Sequence, residues 1–161
     1  MTNYFKKGFI INSLIVLTIF FLDRVSKIYV IYLSEKNLSY NLFQSKFLNI
    51  SLIWNEGIAF GLFSFKQSSL YDFLSIFISI VVIVIFFMIL KNDGMKKFSL
   101  LLILGGALGN LYDRIFFRAV PDFIDFHIGN FHWFIFNVSD IFISSGVLFL
   151  IYLELINNQK D

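Results

Sequence analysis

The sequence predicts an all-α membrane protein of four transmembrane helices, with a small extracytoplasmic β-platform and loops. Three observations predict it. Of the 161 residues, 58% are hydrophobic and 15% charged, whereas soluble domains carry about 25% charged residues and are less than half apolar. Long stretches run with almost no charge. One proline and nine glycines leave the helices few points of interruption. The same figures exclude disorder, and a formal charge of +2 leaves no nucleic-acid footprint. With zero cysteines there are no disulfides, thiol nucleophiles or thiolate metal sites. The length fits one integral-membrane domain, 1–161.

A hydrocarbon core about 30 Å thick requires roughly 20 apolar residues per helix. The first span, approximately 8–33, is charge-free until Asp23, Arg24 and Lys27. Lys6 and Lys7 ahead of it suggest a signal peptide, but the stretch leads into LDRVSK with no small-residue cleavage site, so a retained helix is predicted. An outer loop over 34–69 follows. Within it, residues 47–54 alternate in a β-branched and aromatic run that reads as a strand, and NEGIAFG at 55–61 reads as a turn. The second span, 70–90, contains Phe73 to Leu90 without a charge. The third, 98–114, ends at Asp113 and Arg114. After an outer loop over 115–132, the fourth span, 133–154, holds a single charge before Glu154, Asp140. Lys6, Lys7, Lys91, Lys96, Lys97 and Lys160 gather on one side, against Lys36, Lys46, Lys66 and Arg118 on the other. That bias places both termini in the cytoplasm.

Polar groups that a membrane disfavours carry the chemistry. Asp, Lys or Arg at a helix centre costs about 2.5–3.5 kcal/mol to insert, so such groups have partners or a function. Asp23, Asp113, Asp122, Asp125 and Asp140 all fall at one predicted depth, the outer face. Asn110 and Asp113 are three apart, as are Asn137 and Asp140, which sets each amide and carboxylate on one helical face. These pairs either hold helices together as polar glue or belong to a site. Carboxylates gathered in a low dielectric share a proton, which suits attack of water on an amide. No other catalytic set is present. H-E-x-x-H is absent, and Ser99, Ser144 and Ser145 have no base nearby in sequence and are assigned to packing. His127 and His132 are assigned a solvated or interfacial role. Gly105, Gly106 and Gly109 form a face that admits a close helix. Arg24 and Lys27 either snorkel to the headgroups or pair with Asp23. Composition and spacing leave three classes open: a peptidase, a small transporter and a structural factor. Against a transporter, the charges do not form a path across the membrane and no inverted repeat is present.

GGALGNLYDR at 105–114, VPDF at 120–123 and FNVSD at 136–140 occur in that order, after NEGIAFG and a D-x-x-x-K step from Asp23 to Lys27. In these motifs the chain resembles lipoprotein signal peptidase, the bacterial signal peptidase II, over nearly its whole length. The resemblance implies an aspartic endopeptidase of the bacterial inner membrane. Such an enzyme removes signal peptides from prolipoproteins, cutting before a diacylglyceryl-modified cysteine. It implies Asp122 and Asp140 as the catalytic pair. Asn110, Asp113, Arg114 and Asn137 would position substrate and the pair, with Asn55 and Gly57 in the motif over the site and Asp23 and Lys27 supporting. It implies no metal or cofactor; the partners are lipidated prolipoproteins and membrane lipid, and a monomer suffices. Three residues depart from the family's pattern: Arg24 where Gln is common, Ser139 where Ala is usual, adding a hydroxyl near Asp140, and Arg118 where Gly is usual, which would stiffen or reshape the loop. Asp125 is a decoy three residues from Asp122.

Overall fold

The computed structural model describes residues 2–57 and 68–157. In chain order the elements are α1 (Thr2–Asn37), β1 (Asn41–Gln44), β2 (Leu48–Asn55), α2 (Ser68–Lys91), α3 (Gly94–Phe117), β3 (Val120–Ile128), β4 (Phe131–Phe136) and α4 (Val138–Asn157). Among the described residues, three helical segments are long and apolar enough to cross a membrane: Tyr71–Lys91, Gly94–Phe117 and Val138–Asn157. α1 is longer still and carries Asp23, Arg24 and Lys27 within it.

Exposure on the bundle is inverted relative to a soluble protein. Ile80, Ile83, Val84 and Phe87 on α2, and Phe9, Leu14, Phe21 and Val25 on α1, point outward. α1 buries one stripe, Ile19, Asp23, Arg24, Lys27, Val30 and Ser34, at steps that place side chains on one helical face. α3 is the hub, packing against α1, α2 and α4. Its glycines make this possible. A Cβ on Gly105 would sit 2.8 Å from Ile19 of α1, and one on Gly106 would sit 2.5 Å from the Ser139 carbonyl oxygen of α4. On α4, Gly146 returns the contact, its absent Cβ lying 2.7 Å from the Ser99 carbonyl. Replacing Gly106 by Ala is expected to wedge α3 from α4 and to destabilise by about 1–3 kcal/mol, as overpacking does. Melting in detergent checks it. Gly8→Ala, with nothing within 4 Å of its new methyl, is the control that leaves melting unchanged or raised.

The four strands form one antiparallel sheet in the order β1-β2-β3-β4. The sequence expectation of a strand at 47–54 corresponds to β2. The expected outer loop at 115–132 needs correction, because most of it is β-structure. β3 and β4 form a hairpin around Gly129 and Asn130, with Gly129 at φ +59°, so 133–136 is strand and α4 begins at Val138 instead of Trp133. The overall class, mostly helical with a small β-platform, is as the sequence predicted, and the platform is a four-stranded sheet. The first helix also runs beyond its expected span at both ends. From Ile58 onward the expected turn at 55–61 lies outside the described residues. By connectivity the sheet sits where α1 and α3 end and α2 and α4 begin. Val30 of α1, Leu52 of β2 and Phe123 of β3 close its small core.

Arg118, one of the sequence departures, follows the last turn of α3 at φ 56°, ψ 17°. This left-handed conformation is the one in which glycine is favoured after a helix. Arg118 thus occupies, as a non-glycine residue, a backbone conformation that suits glycine. Its guanidinium pairs with Asp72 on α2, ahead of the β3 strand.

Candidate active site

Asp122 lies in β3, flanked by β2 and β4, opposite Ile53. The β2–β3 register shifts between Ile50 and Ile53, a bulge of the kind that re-aims neighbouring side chains. Asp122 and Asp125 are three apart on a continuous strand, so they project to opposite faces. They also have different partners. Asp125 accepts from Asn49 Nδ2 at 3.1 Å and lies 2.9 Å from His132 Nδ1.

Asp140 enters from α4. Asn137 caps this helix: its Oδ1 accepts from the Asp140 N–H at 3.1 Å, and Asp140 Oδ2 accepts from the Asn137 N–H at 3.1 Å. Such reciprocal bonding satisfies two of the donors that a helix start leaves unpaired. Asn137 is therefore not on the face of a helix, as its spacing suggested, but at its origin. Its remaining amide hydrogens serve Asp122, with Nδ2 donating to Oδ1 at 2.6 Å. One fully buried residue thus touches both carboxylates, Asp122 through its side-chain amide and Asp140 through its backbone N–H.

Each remaining carboxylate oxygen of the two aspartates has its own amide. Asn55 Nδ2 donates to Asp122 Oδ2 at 2.8 Å, and Asn110 Nδ2 donates to Asp140 Oδ1 at 2.8 Å. Neither Asn110 nor Asn137 donates its side-chain amide to the aspartate of its own motif; both reach across to another element. Asn55 Oδ1 accepts from the Gly57 N–H at 2.9 Å, and the Gly57 carbonyl accepts from Arg114 Nη2 at 2.8 Å. Arg114 also lies over the Tyr71 ring, 5.8 Å from its centroid. The candidate residues on β2 and α3 are thereby joined.

Beneath these amides lies a buried ion cluster. Lys27 Nζ donates to Asp23 at 2.9 Å, to Asp113 at 2.7 Å and to Asn110 Oδ1 at 2.8 Å. Arg24 grips Asp113 with both terminal nitrogens, at 2.5 and 2.6 Å, and also reaches Asp23 at 2.9 Å. Asp23 and Asp113 are 0% exposed and Lys27 is 1% exposed, so two anions and two cations neutralise one another away from solvent. Of the alternatives for Arg24 and Lys27, pairing holds and snorkelling does not. Asp23 Oδ1 further accepts from the Ser139 N–H at 3.0 Å, tying α1 to the first turn of α4. The buried Ser139 hydroxyl lies against Gly109, beside Asp23.

Two cavities meet the pair. One of about 410 Å³ is lined by Asp122, Asn55, Gly57 and Trp54, and one of about 380 Å³ by Asp140, Ile141, Ser144, Leu148 and Phe136. The second is almost wholly apolar, so Ser144 belongs to its wall. Burial first, and the nearby Asp140 charge second, push the Asp122 carboxyl up to about 6, against the opposing effect of the Asn55 and Asn137 amides. All ten site candidates, Asp122, Asp140, Asn110, Asp113, Arg114, Asn137, Asn55, Gly57, Asp23 and Lys27, fall in this one connected network. Sequence reasoning missed Arg24 as a member, although its place beside Asp23 was the available signal.

Apolar helices with a buried polar site at one end define a multi-pass membrane protein. The sequence model of the signal peptidase (SPase) II family matches residues 15–156, and the chain belongs to that family of peptidases. It is 51% identical over 154 residues to the lipoprotein signal peptidase of Pelagibacter ubique strain HTCC1062, covering 96% of this chain and 93% of the relative. It is 35% identical over 156 residues to that of Anaplasma marginale strain Florida, covering 96% and 89%. Among solved structures, two described as bacterial membrane enzymes obtained by the in meso method are similar. The one at 2.3 Å resolution has a TM-score of 0.78 at 28% identity, covering 93% of this chain and 90% of that one. The one at 1.9 Å has a TM-score of 0.74 at 31% identity, covering 89% and 92%.

Proposed function

We propose that the chain is an aspartic endopeptidase that removes signal peptides from diacylglyceryl-modified prolipoproteins, cutting before the lipidated cysteine. The observation that carries this reading is Asn137, whose one side chain and backbone N–H hold Asp122 and Asp140 together in a buried, amide-lined setting. Asp122, with its raised affinity for a proton, holds the proton that the pair shares and donates it to the carbonyl oxygen of the scissile amide. Asp140 takes a proton from the attacking water. Asn110 and Asn55 fix the outer oxygens, so that neither carboxylate rotates out of line. The membrane-level setting follows from the substrate. Acyl chains stay in the bilayer beside the apolar cavity at Asp140, and the peptide bond is offered where water reaches Asp122.

In this reading α1 is a fourth transmembrane helix, both termini are cytoplasmic and the sheet lies at the extracytoplasmic face of the inner membrane. The protein works as a monomer, without a metal or cofactor in the reaction.

The test is cleavage of one prolipoprotein with and without its diacylglyceryl group, by purified protein in detergent. The lipidated form is expected to be cut and the unlipidated form left intact; equal cleavage of both, or of neither, overturns the reading. The pH dependence assigns the roles. With Asp122 as the acid, kcat/KM falls on the alkaline side of an apparent pKa near 6 that belongs to the coupled pair, by tenfold per pH unit. An acidic limb near that value, with no alkaline fall to pH 8, would exchange the roles of the two carboxylates.

A further inference from the structure

The β3–β4 hairpin carries a second polar cluster, in which Asp125 and His127 alternate to the strand face opposite Asp122 while His132 also lines the cavity at Asp122. Asp125 and His127 are two apart on β3, hence on the same face, and His132 of β4 is the cross-strand partner of His127. The two imidazoles stack with centroids 4.9 Å apart and planes 18° apart. His132 Nδ1 faces both Asp125 oxygens, at 3.0 and 2.9 Å. Nδ1 of His127 is buried and makes no hydrogen bond among the described residues. One ligand atom from each of the three side chains lies within 4.8 Å of the others.

We propose that Asp125, His127 and His132 form a binding site for a divalent transition-metal ion, with Zn²⁺ as the fitting ion. Two imidazoles and one carboxylate are a donor set that borderline metals favour over Ca²⁺ or Mg²⁺. Three protein ligands leave a fourth tetrahedral position for water. Bonds to zinc of about 2.0–2.1 Å place ligand atoms about 3.4 Å apart in a tetrahedron, so the side chains must draw in by about 1 Å. The His132 side chain, 52% exposed, has room to do so. Asn49, donating to Asp125 Oδ2, is the outer partner that holds a ligating carboxylate in place. The His132–Asp125 contact does not involve His127, whereas an ion held by the cluster draws on all three side chains. The ion would staple β4 to β3, the strand that carries Asp122, without touching the catalytic pair.

The experiment uses the full chain in detergent, free of any polyhistidine tag and stripped with a chelator. Calorimetric titration with Zn²⁺ is expected to give one ion per chain. Melting is expected to rise by several degrees at about a hundredfold excess over Kd, with no rise in Mg²⁺. His127→Ala and His132→Ala are each expected to abolish both signals while leaving metal-free melting near the wild-type value. Absence of heat and of a melting shift in the wild type overturns the proposal. So does undiminished zinc binding in the His127→Ala, His132→Ala double variant, or an equal response to Mg²⁺.

Discussion

Asp122→Asn and Asp140→Asn are each expected to lower kcat for a lipidated prolipoprotein by at least about a thousandfold, the upper part of the range for loss of an acid or base. The two residues act as a unit, so the double variant should be little worse than either single one. Folding is expected to survive. Burial raises the Asp122 pKa to about 6, so from the ordinary carboxylate range up to about 6 the folded chain keeps a proton that the unfolded chain has released. Stability therefore declines as pH rises through that window and is lowest above it, by about 3 kcal/mol. Asparagine at 122 removes this loss. It also turns an amide hydrogen toward Asn55 or Asn137, both of which donate to Asp122, and this offsets part of the gain. Cleavage assays with melting curves at pH 5 and 8 separate the two effects. Asp125→Asn, on the opposite strand face, should cut at the wild-type rate; a dead Asp125→Asn beside an active Asp122→Asn would move the pair to Asp125.

Lys27→Met should be the most destabilising single change outside the pair. It leaves Asp23 and Asp113, both 0% exposed, to share Arg24 alone, so the buried cluster acquires a net negative charge. Removing one partner from such a cluster costs about 3–5 kcal/mol, largely because the remaining charge is buried and uncompensated. In a chain of this size that corresponds to on the order of 10 °C in melting temperature. Activity should fall as well, because Lys27 also donates to Asn110, which holds Asp140. Combining Lys27→Met with Asp23→Asn restores electrical balance and is expected to recover much of the lost melting temperature, though not the activity. If the double variant melts no higher than the single one, charge imbalance is not the cause.

The long apolar helices, and the polar residues that meet in one network at their ends, were legible because lipid makes each interior carboxylate conspicuous and because short motifs fix their spacing. Which group meets which was not. Arg24 and Asp113 are 89 residues apart, and only the packing of α1 on α3 brings them together. The Asn–Asp spacing of three suggested pairing within each motif. Asn137 and Asp140 do pair, but as a helix cap through their backbone N–H groups, whereas Asn110 turns its amide to Asp140 on another helix. The β3–β4 hairpin left a signal that was passed over: a Gly129-Asn130 pair between two aromatic, β-branched runs is a hairpin signature. It was obscured by the apolar run into α4, which reads equally well as the start of a span. The histidine cluster was not legible because its members meet only across two paired strands, with His127 opposite His132.

The strand order has a consequence for how the protein is made. β1 and β2 are translated before α2 and α3, and β3 only after both, yet β2 and β3 are neighbours in the sheet. A nascent chain that has emerged as far as α3 holds Asn55 but has no strand for it to meet. Asp122 joins it next, and Asp140 arrives last, with the final helix. Loop closure across two intervening helices must therefore precede any proteolytic competence. With Asp122 and Asp140 as the proposed catalytic pair, an unfinished chain would be inert toward its neighbours in the membrane, and placement of the last helix would be the step that arms it.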